Sequence, residues 1–245
     1  MNRTSITGLA CMLAVALTAC AGGGEPPAPS GSPASAPLEA LKEPANSMSV
    51  SPPLSPAPVS AEALAAYRAL LAGEPGALDR PPEGLELHQV TLPPAEELEY
   101  VLLDLDGDGG AELVVQMVEQ PQQFNAVFHY GDGELSCWQY DIVEMSCRDY
   151  PLGDGAMVRQ YDTGTGPNRY SNLYTVFRYL PDGETEECAS LAVHQDTQED
   201  GTEVFTYLVD DAGVDQDTFA AEFEELVGSR LLSLEDWIPA TERPG

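Results

Sequence analysis

The chain has 245 residues and a formal net charge of −31 at pH 7, because 41 Asp and Glu side chains face only 10 Lys and Arg. A negative field of this size repels nucleic acid and anionic lipid head groups, which makes both poor candidates for a partner of the folded part. Hydrophobic residues make up 43% of the chain, enough for one domain with a real core.

The first 19 residues predict a signal peptide, with Arg3 as its positive end and an apolar run at 6–17 that is too short for a stable membrane anchor. It ends in Leu-Thr-Ala-Cys at 17–20, which resembles the lipobox of bacterial lipoproteins. That resemblance implies cleavage before Cys20 and acylation of its thiol, so the mature chain is lipid-anchored to a bacterial membrane outside the cytoplasm. The alternative is an ordinary secretory signal with an incidental cysteine.

Residues 20–58 predict a disordered tether, since they are rich in Pro, Ala, Ser and Gly and hold about half of the prolines. Such a segment is either a passive spacer or a ligand for a proline-binding partner. Residues 59–245 are then expected to form a single α+β domain.

Within this domain, Ser60 predicts the N-cap of a helix over 61–71, and Asp215 or Asp217 predicts the N-cap of a second helix that Gly228 closes. Between them the sequence alternates between strand and turn signals, which favours a mainly antiparallel β meander of consecutive hairpins with a helix at each end. Strands are expected at 85–90, 100–103, 113–117, 126–130, 135–140, 157–161, 170–179, 187–194 and 203–208.

Residues 104–112 carry the densest chemical signal, read as D-x-D-x-D-G-x-x-E. Acids at loop positions 1, 3, 5 and 9, with a glycine at 6, are oxygen ligands spaced to wrap a hard cation, here Ca²⁺. A plain acidic turn would crowd four like charges without compensation. An EF-hand needs a glutamate at position 12, but Val115 stands there and both flanks predict strands.

The segment 101–115 is similar to the strand-loop-strand calcium unit of FG-GAP/VCBS-type repeats and, more narrowly, to uncharacterised lipoproteins of Gram-positive anaerobic bacteria. This resemblance implies side-chain ligands at four acidic positions and a backbone carbonyl ligand at position 7, namely Asp104, Asp106, Asp108, Glu112 and Gly110. Because the unit occurs once, a propeller is not expected. We expect a structural metal, since the sequence places no histidine or nucleophile close to the loop.

Three cysteines lie in the expected domain. Cys137 and Cys147 could face each other across a short hairpin and form a disulfide, leaving Cys188, although other pairings, or three buried thiols, are equally allowed. The absence of a C-x-x-C pair and the scattering of the three histidines argue against zinc.

These features predict a monomeric, non-enzymatic lipoprotein module that binds an unknown partner in the cell envelope or outside the cell. An exposed aromatic patch would favour it, with five candidates: Trp138, Tyr140, Tyr161, Tyr170 and Tyr174. The alternative is an envelope hydrolase that uses a carboxylate pair on glycan or peptide, although the acid pairs at 210–211 and 224–225 are better explained as solvated surface. Residues 161–170 are either a binding loop or a simple hairpin connection.

Overall fold

The two helices begin where the sequence provides caps. The structure is a computed structural model that describes residues 57–119, 121, 124–142, 147–166, 168–242 and 244. Helix α1 (Ala61–Leu71) follows Ser60, whose hydroxyl oxygen accepts a hydrogen bond from the Ala63 N–H at 3.0 Å. Helix α2 (Gln216–Leu226) follows Asp215, whose carboxylate accepts from the Thr218 N–H at 2.8 Å. Each cap satisfies one backbone donor of the first turn, so both helix predictions are confirmed.

The predicted signal peptide, Cys20 and all but the last two residues of the predicted tether lie outside the described residues. Every described residue belongs to one compact unit of the chain. Among the described helices, none combines the length and the apolar character that crossing a bilayer would require.

The first sheet contains five antiparallel strands in the order β11-β1-β2-β3-β4. Its strands are β1 (Leu98–Leu103), β2 (Glu112–Met117), β3 (Phe124–Gly131), β4 (Glu134–Ile142) and β11 (Ile238–Pro239). Strands β1 to β4 follow one another along the chain, while β11 returns from the C-terminus to pair with β1.

The second sheet contains six antiparallel strands in the order β10-β9-β8-β7-β6-β5. Its strands are β5 (Cys147–Pro151), β6 (Met157–Gly166), β7 (Arg169–Tyr179), β8 (Thr185–Thr197), β9 (Glu203–Val209) and β10 (Ala212–Val214). The prediction of an antiparallel α+β meander is therefore confirmed, with the difference that the meander divides into two sheets after β4.

Four layers result from the faces that these elements bury. Helix α1 packs on the outer face of the first sheet, where Tyr67 joins a core cluster with Phe128. The inner faces of the two sheets meet in a second cluster, in which Val114 of the first sheet and Phe177 of the second are both buried. Helix α2 covers the other face of the second sheet through ring contacts that pair Phe223 with Tyr174 and Phe219 with Tyr207.

One local prediction is wrong, and one open alternative is decided. Residues 85–90 contain a 3₁₀ helix (Leu87–Gln89) rather than a strand, because Glu86 and Gln89 form a capping box. Residues 161–170 are not a long loop: β6 and β7 pair as far as Gly166 and Arg169, so the hairpin connection is the correct alternative. Pairing of two strands over most of the polar stretch satisfies its backbone donors and acceptors.

The cysteines lie differently from the expected hairpin. Cys137 is on β4 in the cluster under α1, while Cys147 begins β5, and these strands are edges of different sheets. Cys188 is exposed on β8. Among the described strands β4 and β5 do not pair, so they do not form the short hairpin on which a pairing of Cys137 with Cys147 was based, and the disulfide itself stays a prediction.

Candidate metal centre

The acidic loop between β1 and β2 is curled by its own aspartates. The Asp104 carboxylate accepts hydrogen bonds from the N–H groups of Gly107 at 2.8 Å and Gly109 at 3.2 Å. Asp106 accepts from the Asp108 N–H at 3.0 Å, and Asp108 in turn accepts from the N–H two residues further along the chain at 2.6 Å. Each bond is the local turn that a short acidic side chain makes with backbone two to five residues ahead.

This curling brings three predicted ligand side chains together. One carboxylate oxygen from each of Asp104, Asp106 and Asp108 lies within 4.8 Å of the other two. Gly107 and Gly109 have φ of +77° and +89°, the left-handed region in which glycine carries no penalty. The backbone can therefore reverse twice and aim successive aspartates at one point. Gly110 donates its N–H to Asp108 at 2.6 Å, and its carbonyl ligand role stays a prediction.

Glu112, the fourth predicted acidic ligand, is the first residue of β2 and is only 1% exposed. Its Oε2 accepts a hydrogen bond from the Leu105 N–H at 2.7 Å, which ties the two ends of the loop together. Its Oε1 lies 3.0 Å from Nδ1 of His129. Burial raises the pKa of Glu112, since a carboxylate away from water loses hydration of its charged form.

His129 is a candidate site residue that the sequence prediction missed. It lies on β3, where the neighbouring residue Phe128 pairs with Leu113, so position 129 falls beside Glu112. Its ring stacks on Trp138 with centroids 4.3 Å apart, and a side chain at Gly131 would overlap it. The expectation of no histidine near the loop is therefore wrong. The signal that could have found it is the cross-strand register of two short strands.

The charge of Glu112 acts on this imidazole. Partial burial alone would lower the pKa of His129, but the hydrogen bond and the negative charge of Glu112 raise it above the usual value of a histidine. The pair is mostly enclosed, with 15% of the His129 side chain and 2% of the Glu112 side chain exposed.

Asp106 joins the loop to this buried pair. One ligand atom from each of Asp106, Glu112 and His129 lies within 4.8 Å of the other two, so Asp106 belongs to two potential metal-binding groups. Its Oδ2 is buried and has no hydrogen-bond partner. Burial raises the pKa of Asp106. A carboxylate oxygen without water or a donor is costly, and a cation would remove that cost.

Two further elements hold the loop from outside. The Tyr67 hydroxyl of α1 donates to the Ala111 carbonyl at 2.8 Å. On the other side, the turn between β5 and β6 presses Gly155 against the Asp104 backbone so closely that a Cβ there would overlap the Asp104 carbonyl oxygen. The loop is thus fixed by α1, the first sheet and the second sheet together.

The supporting turn is itself anchored by charge. Arg230 and Arg178 contact the Asp154 carboxylate at 2.7 and 3.1 Å. Although partial burial acts in the opposite direction, Arg230 lowers the pKa of Asp154 below its usual range. Arg230 follows α2, so the C-terminal helix contributes indirectly to the position of the loop.

The predicted aromatic candidates do not form one surface. Tyr174 is buried and Trp138 lies between His129 and Tyr179, whereas Tyr161 is 40% exposed. The acid pairs at 210–211 and 224–225 are exposed, in agreement with the solvated-surface explanation. An open groove lies beside the end of α1, lined by apolar side chains such as Leu87, and it contains no residue of the acidic loop.

Comparisons with family models, with curated proteins and with solved structures give no match to this chain.

Proposed function

We propose that this protein is a lipid-anchored, extracytoplasmic lipoprotein whose acidic loop binds a structural calcium ion and whose folded part is a non-enzymatic binding module of the cell envelope. The anchor is inferred from the lipobox-like sequence that ends in Cys20. The envelope or extracellular partner is not identified by the residues described. The ion is inferred from the loop.

The observation that carries the calcium proposal is the convergence of three aspartate oxygens within 4.8 Å of one another. Ca²⁺ takes six to eight oxygen ligands in flexible geometry, and carboxylates supplied by alternate residues of one loop provide them. The strand-loop-strand setting fits the FG-GAP/VCBS resemblance of segment 101–115, which also favours calcium.

The ion's contribution is expected to be stability. Asp104, Asp106, Asp108 and Glu112 place four acidic groups within nine residues, and their mutual repulsion opposes the closed loop unless a cation compensates it. With free calcium at ten times Kd, linkage gives about 1.5 kcal/mol of added free energy of unfolding. This is enough to fix one hairpin, and it agrees with a fold whose cores are built by the two sheets.

The experiment is thermal unfolding of the purified protein in calcium and in a chelator, with a calcium titration by calorimetry. We expect the melting temperature of the wild type to be several degrees higher in calcium than in chelator. Asp106→Asn should melt at the same temperature in both, although its side-chain carbonyl can still accept from the Asp108 N–H.

Asp200→Asn is the matched control, since Asp200 forms the same kind of turn bond, to the Thr202 N–H at 2.9 Å, on the exposed surface. This variant should retain the full calcium effect. Equal melting temperatures of the wild type in calcium and in chelator, with no heat of binding, would contradict the calcium proposal.

One observation favours a second candidate, an envelope hydrolase with a carboxylate pair. Burial raises the pKa of both Asp106 and Glu112, which is the property of a catalytic acid. Both Glu112 oxygens, however, are engaged by the Leu105 N–H and by His129. Cleavage of an envelope glycan or peptide by the wild type, lost in Glu112→Gln, would support the hydrolase.

A further inference from the structure

We infer that Asp106, Glu112 and His129 form a second, inner site for a divalent transition-metal ion of the zinc class. The inference rests on the proposed calcium loop, with which it shares Asp106 and the predicted ligand Glu112. Glu112, however, clusters with Asp106 and His129 rather than with Asp104 and Asp108, so the donor set is different. Two carboxylates and one imidazole have ligand atoms within 4.8 Å of one another.

The imidazole decides which ion fits. Ca²⁺ and Mg²⁺ take oxygen ligands, whereas imidazole nitrogen with carboxylate oxygen suits zinc and its neighbours in the first transition row. Ligand atoms bound to one Zn²⁺ at about 2.0 Å lie roughly 3.3 Å apart, so modest side-chain rotations would close the group around one ion. The calcium loop proper offers oxygen only.

The second observation is independent of this clustering. Asp106 Oδ2 is shielded from solvent and accepts no hydrogen bond, although Asp106 Oδ1 is used by the Asp108 N–H. A buried carboxylate oxygen without a partner costs free energy, and a metal ion in the inner site would supply the missing positive charge. The orphaned oxygen belongs to the residue that faces Glu112 and His129.

The other two ligands are already oriented. The Leu105 N–H holds Glu112 through Oε2, which leaves Oε1 directed at His129. Stacking on Trp138 fixes the plane of the imidazole. Hydrogen bonds and packing of this kind, which orient a ligand from behind, are typical of metal sites and strengthen binding.

Binding would exchange a proton for the ion. An ionised Glu112 can only accept, so in that state, without metal, Nδ1 of His129 carries the hydrogen shared with Glu112 Oε1. Coordination through Nδ1 requires the neutral ring with its hydrogen on Nε2, so any proton of an imidazolium leaves to solvent and the Nδ1 lone pair goes to the metal. Glu112 Oε1 would then exchange its hydrogen bond with Nδ1 for a bond to the metal ion. Asp106 Oδ2, which has no hydrogen-bond partner, would gain a bond to the same ion.

The test is a calorimetric titration of the metal-free, full-length protein, with zinc chloride and calcium chloride used separately. We expect His129→Gln to weaken zinc binding by about tenfold or more and to leave calcium binding within about twofold. Asp104→Asn should do the reverse, because Asp104 belongs to the loop group alone. His88→Gln is the matched control, since His88 is exposed and paired with Glu86, and it should alter neither affinity.

X-ray absorption of the zinc-loaded wild type gives a readout that does not depend on any variant, and we expect scattering from one imidazole ring. Zinc affinity unchanged in His129→Gln, or a zinc spectrum without imidazole, would overturn the inner site even if calcium binds as proposed. Zinc binding that depends on His129 in a protein that takes up no calcium would uphold the inner site and contradict the calcium proposal.

Discussion

The acidic loop and the turn at 199–202 are built from the same local chemistry, yet only one of them is a candidate site. In both, an aspartate side chain accepts a backbone hydrogen bond and a glycine takes positive φ, +77° at Gly107 and +83° at Gly201. Every residue of the turn at 199–202 is exposed, whereas the loop is held by the Tyr67 hydroxyl on one side and by Gly155 on the other. Tertiary packing, rather than the turn itself, separates the two.

Their electrostatics differ in the same way. The Thr202 N–H lowers the pKa of Asp200, because a solvated carboxylate gains a donor at no cost in hydration. Burial raises the pKa of Asp106, whose second oxygen has lost water without gaining a donor. An acidic turn becomes a candidate cation site when its surroundings remove more water from the carboxylates than they replace with hydrogen-bond donors.

The largest expected effect comes from comparing two glycines with nearly equal φ, Gly155 at +84° and Gly201 at +83°. Gly201→Ala meets open space and should cost only the strain of the left-handed region, about 1 kcal/mol. Gly155→Ala adds overlap with the Asp104 carbonyl, so we expect a loss of about 3 kcal/mol or more. Urea unfolding of both variants in chelator measures the difference.

Gly155→Ala should also weaken calcium binding, because the overlap displaces the first residue of the loop. Gly201→Ala should bind calcium like the wild type. Equal losses of stability in the two variants would show that the β5–β6 turn does not support the loop.

The sequence predicted those parts of the molecule that depend on neighbouring residues. Ser60 and Asp215 cap the helices as expected, and the spacing of Asp104, Asp106 and Asp108 brings their oxygens together. In each case the partner lies within a few residues, so the pattern alone contains the information.

What could not be predicted depends on distant pairing. His129 reaches Glu112 only through the register of β2 with β3, and Gly155 reaches Asp104 only because the chain starts a second sheet after β4. Hairpin signals are local and do not say where a meander divides. The position of His129 beside Glu112 therefore depends on the strand register, which local sequence signals do not provide.

A smaller effect is expected from two tyrosine hydroxyls. Tyr67→Phe removes the buried donor to the Ala111 carbonyl and leaves that oxygen unsatisfied, which should cost about 2 kcal/mol. Tyr140→Phe removes a hydroxyl that donates to the Thr91 carbonyl at 2.8 Å and accepts from the Thr91 N–H at 3.1 Å. Both bonds are at the surface, where water replaces the hydroxyl, so the cost should stay below about 1 kcal/mol. Thermal unfolding of both variants, with calcium titrations, makes the comparison.

Only Tyr67→Phe should also lower the calcium affinity, since Ala111 ends the acidic loop and Thr91 is remote from it in sequence. A Tyr67→Phe variant with unchanged stability and unchanged calcium binding would show that α1 does not hold the loop.

The smallest effect concerns the ion pair behind the supporting turn. Because Arg230 lowers the pKa of Asp154, the pair stabilises the folded state above the unfolded value of 3.8 and loses that contribution as pH falls through the lower folded value. Nearly half of the Asp154 side chain is exposed, so solvent screening limits the contribution to about 1 kcal/mol or less. We expect Asp154→Asn to be less stable than the wild type at pH 7 and equal to it near the acid limit of folding.

A double-mutant cycle with Arg230→Gln isolates this pair, since the other carboxylates titrate alike in all four proteins and cancel. The coupling energy from urea unfolding should be present at pH 7 and should vanish as Asp154 takes up its proton. A coupling energy that stays constant across that acid range would mean that Arg230 acts through packing, and the turn behind the acidic loop would then owe its position to shape rather than to charge.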